Sequence, residues 1–357
     1  MPDQTETVPE WIRHVTAEQL DDFIDWLDST GGLEQPGFDA IQRAFVYVPD
    51  TQVDQSLDPY SDAYFDQMIA LYEEVARRGL DQETGEMTAF DLPHHVQHPN
   101  PYASPAVDMM SGHVNAITAA IMRAALPPGA KVADLGCGWG MTSEILSFCG
   151  STVTAVDINP DFVSLVQQRA ARLGNGITAQ QSNFDDLNLP AEYDGAFFYE
   201  CLHHAVKPWE TLEKVAGFLK PDGKIFFAGE PINDLFWTHW GLRLDASAIY
   251  CIRKHGWFES GWSASFLSDM FHRMGWTLNL HPEVGLRGGD VGVAARGISQ
   301  APPPPPPVTE DPPQALIDLA EIDRLRAALA QTEQERDHAR RYPWKYLGAA
   351  WQERRDK

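Results

Sequence analysis

Residues 132–140 read VADLGCGWG. A short apolar strand, Val132 to Leu135, runs directly into Gly136, Cys137, Gly138, Trp139 and Gly140, and a helical pattern starts near Thr142. Strand, tight turn and helix in immediate succession form half of a βαβ unit. The glycines allow the sharp turn and let a ligand approach the backbone. The helix start behind them offers unpaired N–H groups. A dinucleotide site would need G-x-G-x-x-G to seat a pyrophosphate there. The spacing here is G-x-G-x-G, with Asp134 two residues upstream. A carboxylate repels a pyrophosphate and favours a ligand carrying an ammonium group.

Two further features define that ligand. Thr152 to Val156 reads as a second strand and ends in Asp157, 21 residues after Gly136. At that separation a βαβ unit places an acid against ribose hydroxyls. A third strand, GITAQQS, leads to Asn183 and Phe184, whose amide side chain and backbone N–H suit the edge of an adenine ring. Adenine, ribose and a small zwitterionic tail without phosphate describe S-adenosylmethionine.

From about residue 112 to 297, β-branched runs (KVADL, STVTAVD, GAFFYE, KIFFAGE) alternate with helix-like stretches, which predicts a parallel sheet covered by helices. The chain of 357 residues has 51 acidic and 27 basic side chains, a formal charge of −24, and this disfavours general binding to nucleic acid. Residues 1–100 hold 21 acids against 4 bases and read as a helical extension, with helices over EWIRHVTAEQLDDFIDWLDST and SDAYFDQMIALYEEVARRGL and a solvated acidic face. Cys137, Cys149, Cys201 and Cys251 are widely spaced, and the N-terminus has no basic, apolar leader pattern. Both features suggest a cytoplasmic setting.

Six consecutive prolines in APPPPPPVTEDPP predict an extended linker over 299–313. Residues 314–357 read as a C-terminal helix with a short coiled-coil seam at Ile322, Leu325 and Leu329. Its basic-aromatic end, RRYPWKYLGAAWQERRDK, suits a peripheral membrane surface or a glycan-assembly partner. The same segment also reads as a solvated helix end or a homo-oligomer contact.

Five ordered segments, VADLGCGWG, AVDINP, QQSNFDDL, YDGAFFYECLHHAVKPWETL and LKPDGKIFFAGEP, resemble those of class I S-adenosylmethionine-dependent methyltransferases over residues 115–297. The resemblance implies an α/β, Rossmann-like, seven-stranded sheet whose last strand, VGVAAR, is antiparallel. It implies a domain at 112–298 behind an extension and lid at 1–111. Implied cofactor contacts are Asp134, Gly136, Cys137, Gly138, Gly140, Asp157, Ile158, Asn183, Phe184 and Glu200. Asn183 departs from the more usual aspartate, though an amide can still bond the ring. More narrowly, NPYASPAVDMM, FFYECLHHAVKPWE and the segment from Glu230 to Ser263 resemble a bacterial subgroup found alongside glycosyltransferases of cell-surface polysaccharides.

Ligands of such sheets lie beyond the strands' carboxyl ends. A cap at 232–262 is dense in Trp237, Trp240, Tyr250, Trp257 and Trp262, with Arg243 and Glu259 among them. Tyr102, Glu230, Trp240, Arg243, Tyr250 and Trp257 are the candidate acceptor contacts. Flat rings with polar edges suit a sugar, so the leading expectation is O-methylation of a glycan hydroxyl. The alternatives are a non-sugar small molecule methylated at O, N or C, and a scaffold that keeps the fold without the chemistry. The same rings could instead be the core of a small cap. A hydroxyl acceptor needs help losing its proton, and His203, His204 and Glu200 are the candidates. His94, His95 and His98 sit among prolines that disfavour a helix, so they read as part of a lid rather than a metal site.

Overall fold

The computed structural model describes residues 8–35, 37–232, 237–282 and 290–297. The expected linker and C-terminal helix lie outside them.

The N-terminal region begins with a 3-10 turn at Glu10–Arg13 and strand β1 (Val15–Thr16), where the sequence suggested one continuous helix. Thr16 and Gln19 form a capping box that restarts the chain toward α1 (Leu20–Thr30). Next come α2 (Phe38–Ala44) and β2 (Tyr47–Val48), which pairs in parallel with β1. Ser61 caps α3 (Asp62–Ala76) by accepting the Tyr64 N–H. Tyr64, Met68, Leu71, Tyr72 and Val75 form its buried face. Two short helices follow, α4 (Gln82–Gly85) and α5 (Leu92–Gln97). Pro93 does not break α5, because its missing N–H falls in the first turn, where no intrahelical partner is required.

The long helix α6 (Val107–Ala124) runs straight through the expected boundary at residue 111. It leads into β3 (Lys131–Leu135), α7 (Met141–Phe148), β4 (Thr152–Asp157), α8 (Pro160–Leu173) and β5 (Ile177–Gln181). Then β6 (Tyr193–Tyr199), α9 (Pro208–Phe218) and β7 (Leu219–Ala228) follow. The cap contains β8 (Trp240–Leu242), α10 (Ala246–His255) and β9 (Ser260–Trp262). The chain returns through α11 (Ala264–Arg273) to β10 (Trp276–His281) and β11 (Val291–Arg296).

Seven strands form one sheet in the order β10-β11-β7-β6-β3-β4-β5. As expected, β11 is antiparallel to its neighbours. The order reverses between β3 and β6, which is where an open α/β sheet leaves a crevice at its carboxyl edge. One face, with Val132, Val153, Ala155, Phe197 and Phe226, packs against α6, α7 and α8. The other face, with Leu135, Val156, Phe198, Ile225 and Phe227, shares a single core with the cap and the N-terminal region. Tyr64 donates to the Trp240 carbonyl at 2.6 Å and Tyr72 to that of Gly256 at 2.7 Å. Trp240 returns an indole N–H to Pro59. Part of the acidic excess is used here, since Asp21 pairs with Arg77 and Arg253, and Asp28 with Lys254.

Candidate active site

The end of β3 turns at Gly136, whose φ of +65° favours glycine. A Cβ there would fall 2.8 Å from the Cys201 Sγ and 3.5 Å from the Phe184 ring. Gly136, Cys201 and Phe184 therefore meet at the switch point. Gly138 (φ +46°) would carry a Cβ into open space, so its backbone is approachable. Gly140 ends the turn beneath Val166, which a Cβ would meet at 2.7 Å. Cys137 is buried in the turn, and its N–H bonds the Val156 carbonyl.

The two acids do different work. Asp134 is buried and points beneath the turn, where one oxygen accepts from Thr142 and Ser143, each at 2.5 Å. It secures the start of α7 through the two hydroxyls. Burial lifts its carboxyl to about 6, against the lowering effect of those hydroxyls. Asp157 ends β4. Its Oδ2 accepts the Gly138 N–H at 2.7 Å, and its Oδ1 accepts from Asn159 at 2.9 Å. Burial raises this carboxyl to about 6 as well. A carboxylate beside open glycine backbone offers the hydrogen-bond acceptor that ribose hydroxyls require, so the cradle fits the inferred cofactor. Ile158 gives its carbonyl to Gln181. The Asn183 side chain closes a local turn, accepting from the Asp186 N–H at 2.6 Å. Phe184 packs edge-on against Phe198.

The segment from Thr88 to His98 packs against the glycine turn and α8. Thr88 accepts from Asn159, Phe90 stacks on Phe162, and His95 stacks on Trp139 with centroids 4.5 Å apart. Buried Arg169 of α8 holds it down, donating to the carbonyls of His95, His98 and Pro99 while paired with Glu144. Tyr102 stacks on His113 of α6, whose Nδ1 lies 2.6 Å from the Tyr199 hydroxyl. That hydroxyl lies 3.4 Å from Glu200 Oε1. Sequence reasoning missed His113, Tyr199 and Arg169. No local motif marks them: the His113–Tyr199 contact joins residues 86 apart and the Arg169–Glu144 pair residues 25 apart.

Glu200 follows β6 with φ at +52°, and its side chain is 33% exposed. It fills the space that a side chain at Gly229 would occupy. Strain of this kind is common at functional sites. His203 sits differently. Its Nδ1 lies 3.0 Å from Glu230 and its Nε2 lies 3.5 Å from Glu259. Burial alone would lower its pKa, but the two carboxylates outweigh burial and raise it to about 10. Neither ring nitrogen has a lone pair facing an acceptor, so His203 does not fit the expected role of general base. Glu230 was expected to contact the acceptor. Instead it is buried, accepting the N–H groups of Cys201, Leu202 and His203. The His204 ring lies 4.4 Å from that of His203 and near Trp257.

The cap aromatics are also corrected. Trp240 is buried, and the Tyr250 hydroxyl bonds Asp28. Both fasten the cap to the N-terminal region, as in the reading of these rings as core. Arg243 is held by Asp245 and Glu259. Only Trp257, among the expected aromatic contacts from the cap, is partly exposed.

Residues 133–227 match the family model described as a methyltransferase domain. A ubiquinone biosynthesis O-methyltransferase of Xanthomonas euvesicatoria is 32% identical over 102 residues, covering 28% of this chain and 43% of that protein. One from Xylella fastidiosa is 28% identical over 166 residues, covering 44% and 63%. The matches thus span less than two thirds of these relatives' own length. Among solved structures, the magnesium protoporphyrin IX methyltransferase of Synechocystis with bound S-adenosylhomocysteine is 18% identical, covering 55% of this chain and 91% of that one at a TM-score of 0.42. These names lend no support to a sugar acceptor. Sheet order, glycine turn and family match together identify the region from β3 to β7 as a class I S-adenosylmethionine-dependent methyltransferase domain.

Proposed function

We propose that the whole chain is an S-adenosylmethionine-dependent methyltransferase acting on a hydroxyl of a non-sugar small molecule. The observation that carries the cofactor half is the bond from the Gly138 N–H to Asp157 beside open glycine backbone. The relatives' names favour O-methylation of a small molecule. Burial of Trp240 and Tyr250 removes the stacking surface on which the sugar reading rested.

When bound, the cofactor supplies an electrophilic methyl group on a sulfonium. Asp157 would hold the ribose, and the segment packed on Trp139 would keep water from it. Of the three residues expected to handle the acceptor's proton, Glu200 has the geometry for it, at the strand end and partly exposed. We assign it that role. The Tyr102–His113–Tyr199 chain fixes its surroundings.

The acceptor class is tested with methyl-labelled S-adenosylmethionine incubated with host small metabolites and, separately, envelope glycan. We expect label in the small-metabolite fraction. Label confined to glycan, released as an O-methyl sugar, would overturn the acceptor assignment.

A further inference from the structure

His203, His204 and Glu259 offer ligating atoms that all lie within 4.8 Å of one another. Among the described residues, no other set of three His, Cys, Asp or Glu side chains is grouped in this way. Neither Asp157 nor the glycine turn belongs to the cluster.

Its surroundings are those of a metal centre. Glu230 holds His203 Nδ1 at 3.0 Å and is itself fixed by three backbone N–H groups. An outer carboxylate on one ring nitrogen orients the other toward a metal. That other nitrogen, Nε2, lies 3.5 Å from Glu259 Oε2, a spacing compatible with one ion about 2.0–2.2 Å from each. His204 Nδ1 is buried with no hydrogen-bond partner among the described residues. It lies 3.7 Å from Glu86 Oε1, which arrives on the turn after α4. Gln82 pins that approach by donating to the His204 carbonyl at 2.7 Å.

The charges point the same way. Glu230 and Glu259 flank His203, Glu86 faces His204, and Arg243 is already paired with Asp245 and Glu259. Buried charges persist only when compensated. A divalent ion supplies the missing positive charge, and it satisfies Glu259 where a proton on His203 otherwise must. Arg243, 3.3 Å from the same Glu259 oxygen, occupies its remaining lone pair.

We propose that His203, His204 and Glu259, with Glu86 completing the set, bind a divalent first-row transition ion of the zinc type. Two imidazoles with carboxylates select such ions over magnesium or calcium. The His204 and Glu86 side chains are 19% and 13% exposed, which leaves a coordination position open to water or to an oxygen of the acceptor.

The test is a calorimetric titration of Zn²⁺ into the full-length, metal-stripped protein, repeated with Co²⁺ and read by visible absorption. We expect one equivalent bound, with ligand-field bands for Co²⁺. His204→Ala and Glu259→Gln should each weaken binding at least tenfold, and His272→Ala should not change it. S-adenosylhomocysteine binding, measured on each variant, reports the fold separately and also keeps failure here distinct from failure of the proposed function. If Glu259→Gln does not fold, His204→Ala decides. No stoichiometric uptake, or uptake unchanged in folded His204→Ala, would overturn the proposal.

Discussion

Asp157 joins the end of β4 to the glycine turn, and its ionisation should set the pH dependence of cofactor binding. Its pKa in the free protein is raised to about 6, chiefly by burial, and only the ionised form accepts freely from ribose hydroxyls. Affinity for S-adenosylhomocysteine should therefore hold above pH 6. It should fall by up to about tenfold per unit below that. Asp157→Asn should bind weakly with a flattened profile, and calorimetry across pH 4.5–8 reads both. Gly136→Ala adds a methyl group where φ is +65° and Cys201 is 2.8 Å away. It should cost about 3 kcal/mol in chemical denaturation. The spacing of Gly136, Gly138, Gly140 and Asp157 was legible in the sequence because each constraint is local to one βαβ unit. His113 was not, since its partner Tyr199 lies 86 residues away. The flanking of His203 by Glu230 and Glu259 was not legible, because those carboxylates come from segments distant in the sequence.

Among the elements, the segment over 88–98 depends on α8. Arg169 is 1% exposed and donates to carbonyls at the end of α5 and in the loop after it. Arg169→Met should release that segment, making residues 92–100 the first site of limited proteolysis and lowering stability by about 3 kcal/mol. Glu144, left without its partner, is 22% exposed and can be hydrated. Strands β3, β4, β6 and β7 were readable because buried parallel strands appear as continuous apolar runs, whereas antiparallel β11 followed from the family resemblance. The first N-terminal helix was read too long, since it begins at Leu20 rather than near Glu10. Val15 and Thr16 pair with Tyr47 and Val48, and that tertiary pairing overrides the helical periodicity of the segment.

At the scale of the whole molecule, the N-terminal region is part of the catalytic unit's own core. Tyr64 and Tyr72 are buried against the cap, and one continuous apolar cluster runs from Ile12 to Ala294. A fragment covering 107–297 would expose that surface, so we expect it to lack a cooperative thermal transition, as read by near-ultraviolet circular dichroism. The sequence showed an acidic helical extension, but it did not show that the cap's tryptophans face it. Hence the sugar-stacking expectation gave way once Trp240 and Tyr250 were seen buried between the two. No helix among the described residues is long and apolar enough to cross a membrane. We assign S-adenosylmethionine binding to the glycine turn and Asp157. Isothermal titration of S-adenosylhomocysteine into wild-type protein and Asp157→Ala tests it most directly. We expect one site in the wild type and at least tenfold weaker binding in the variant. No binding to the wild type, or equal affinity in a folded variant, would contradict it.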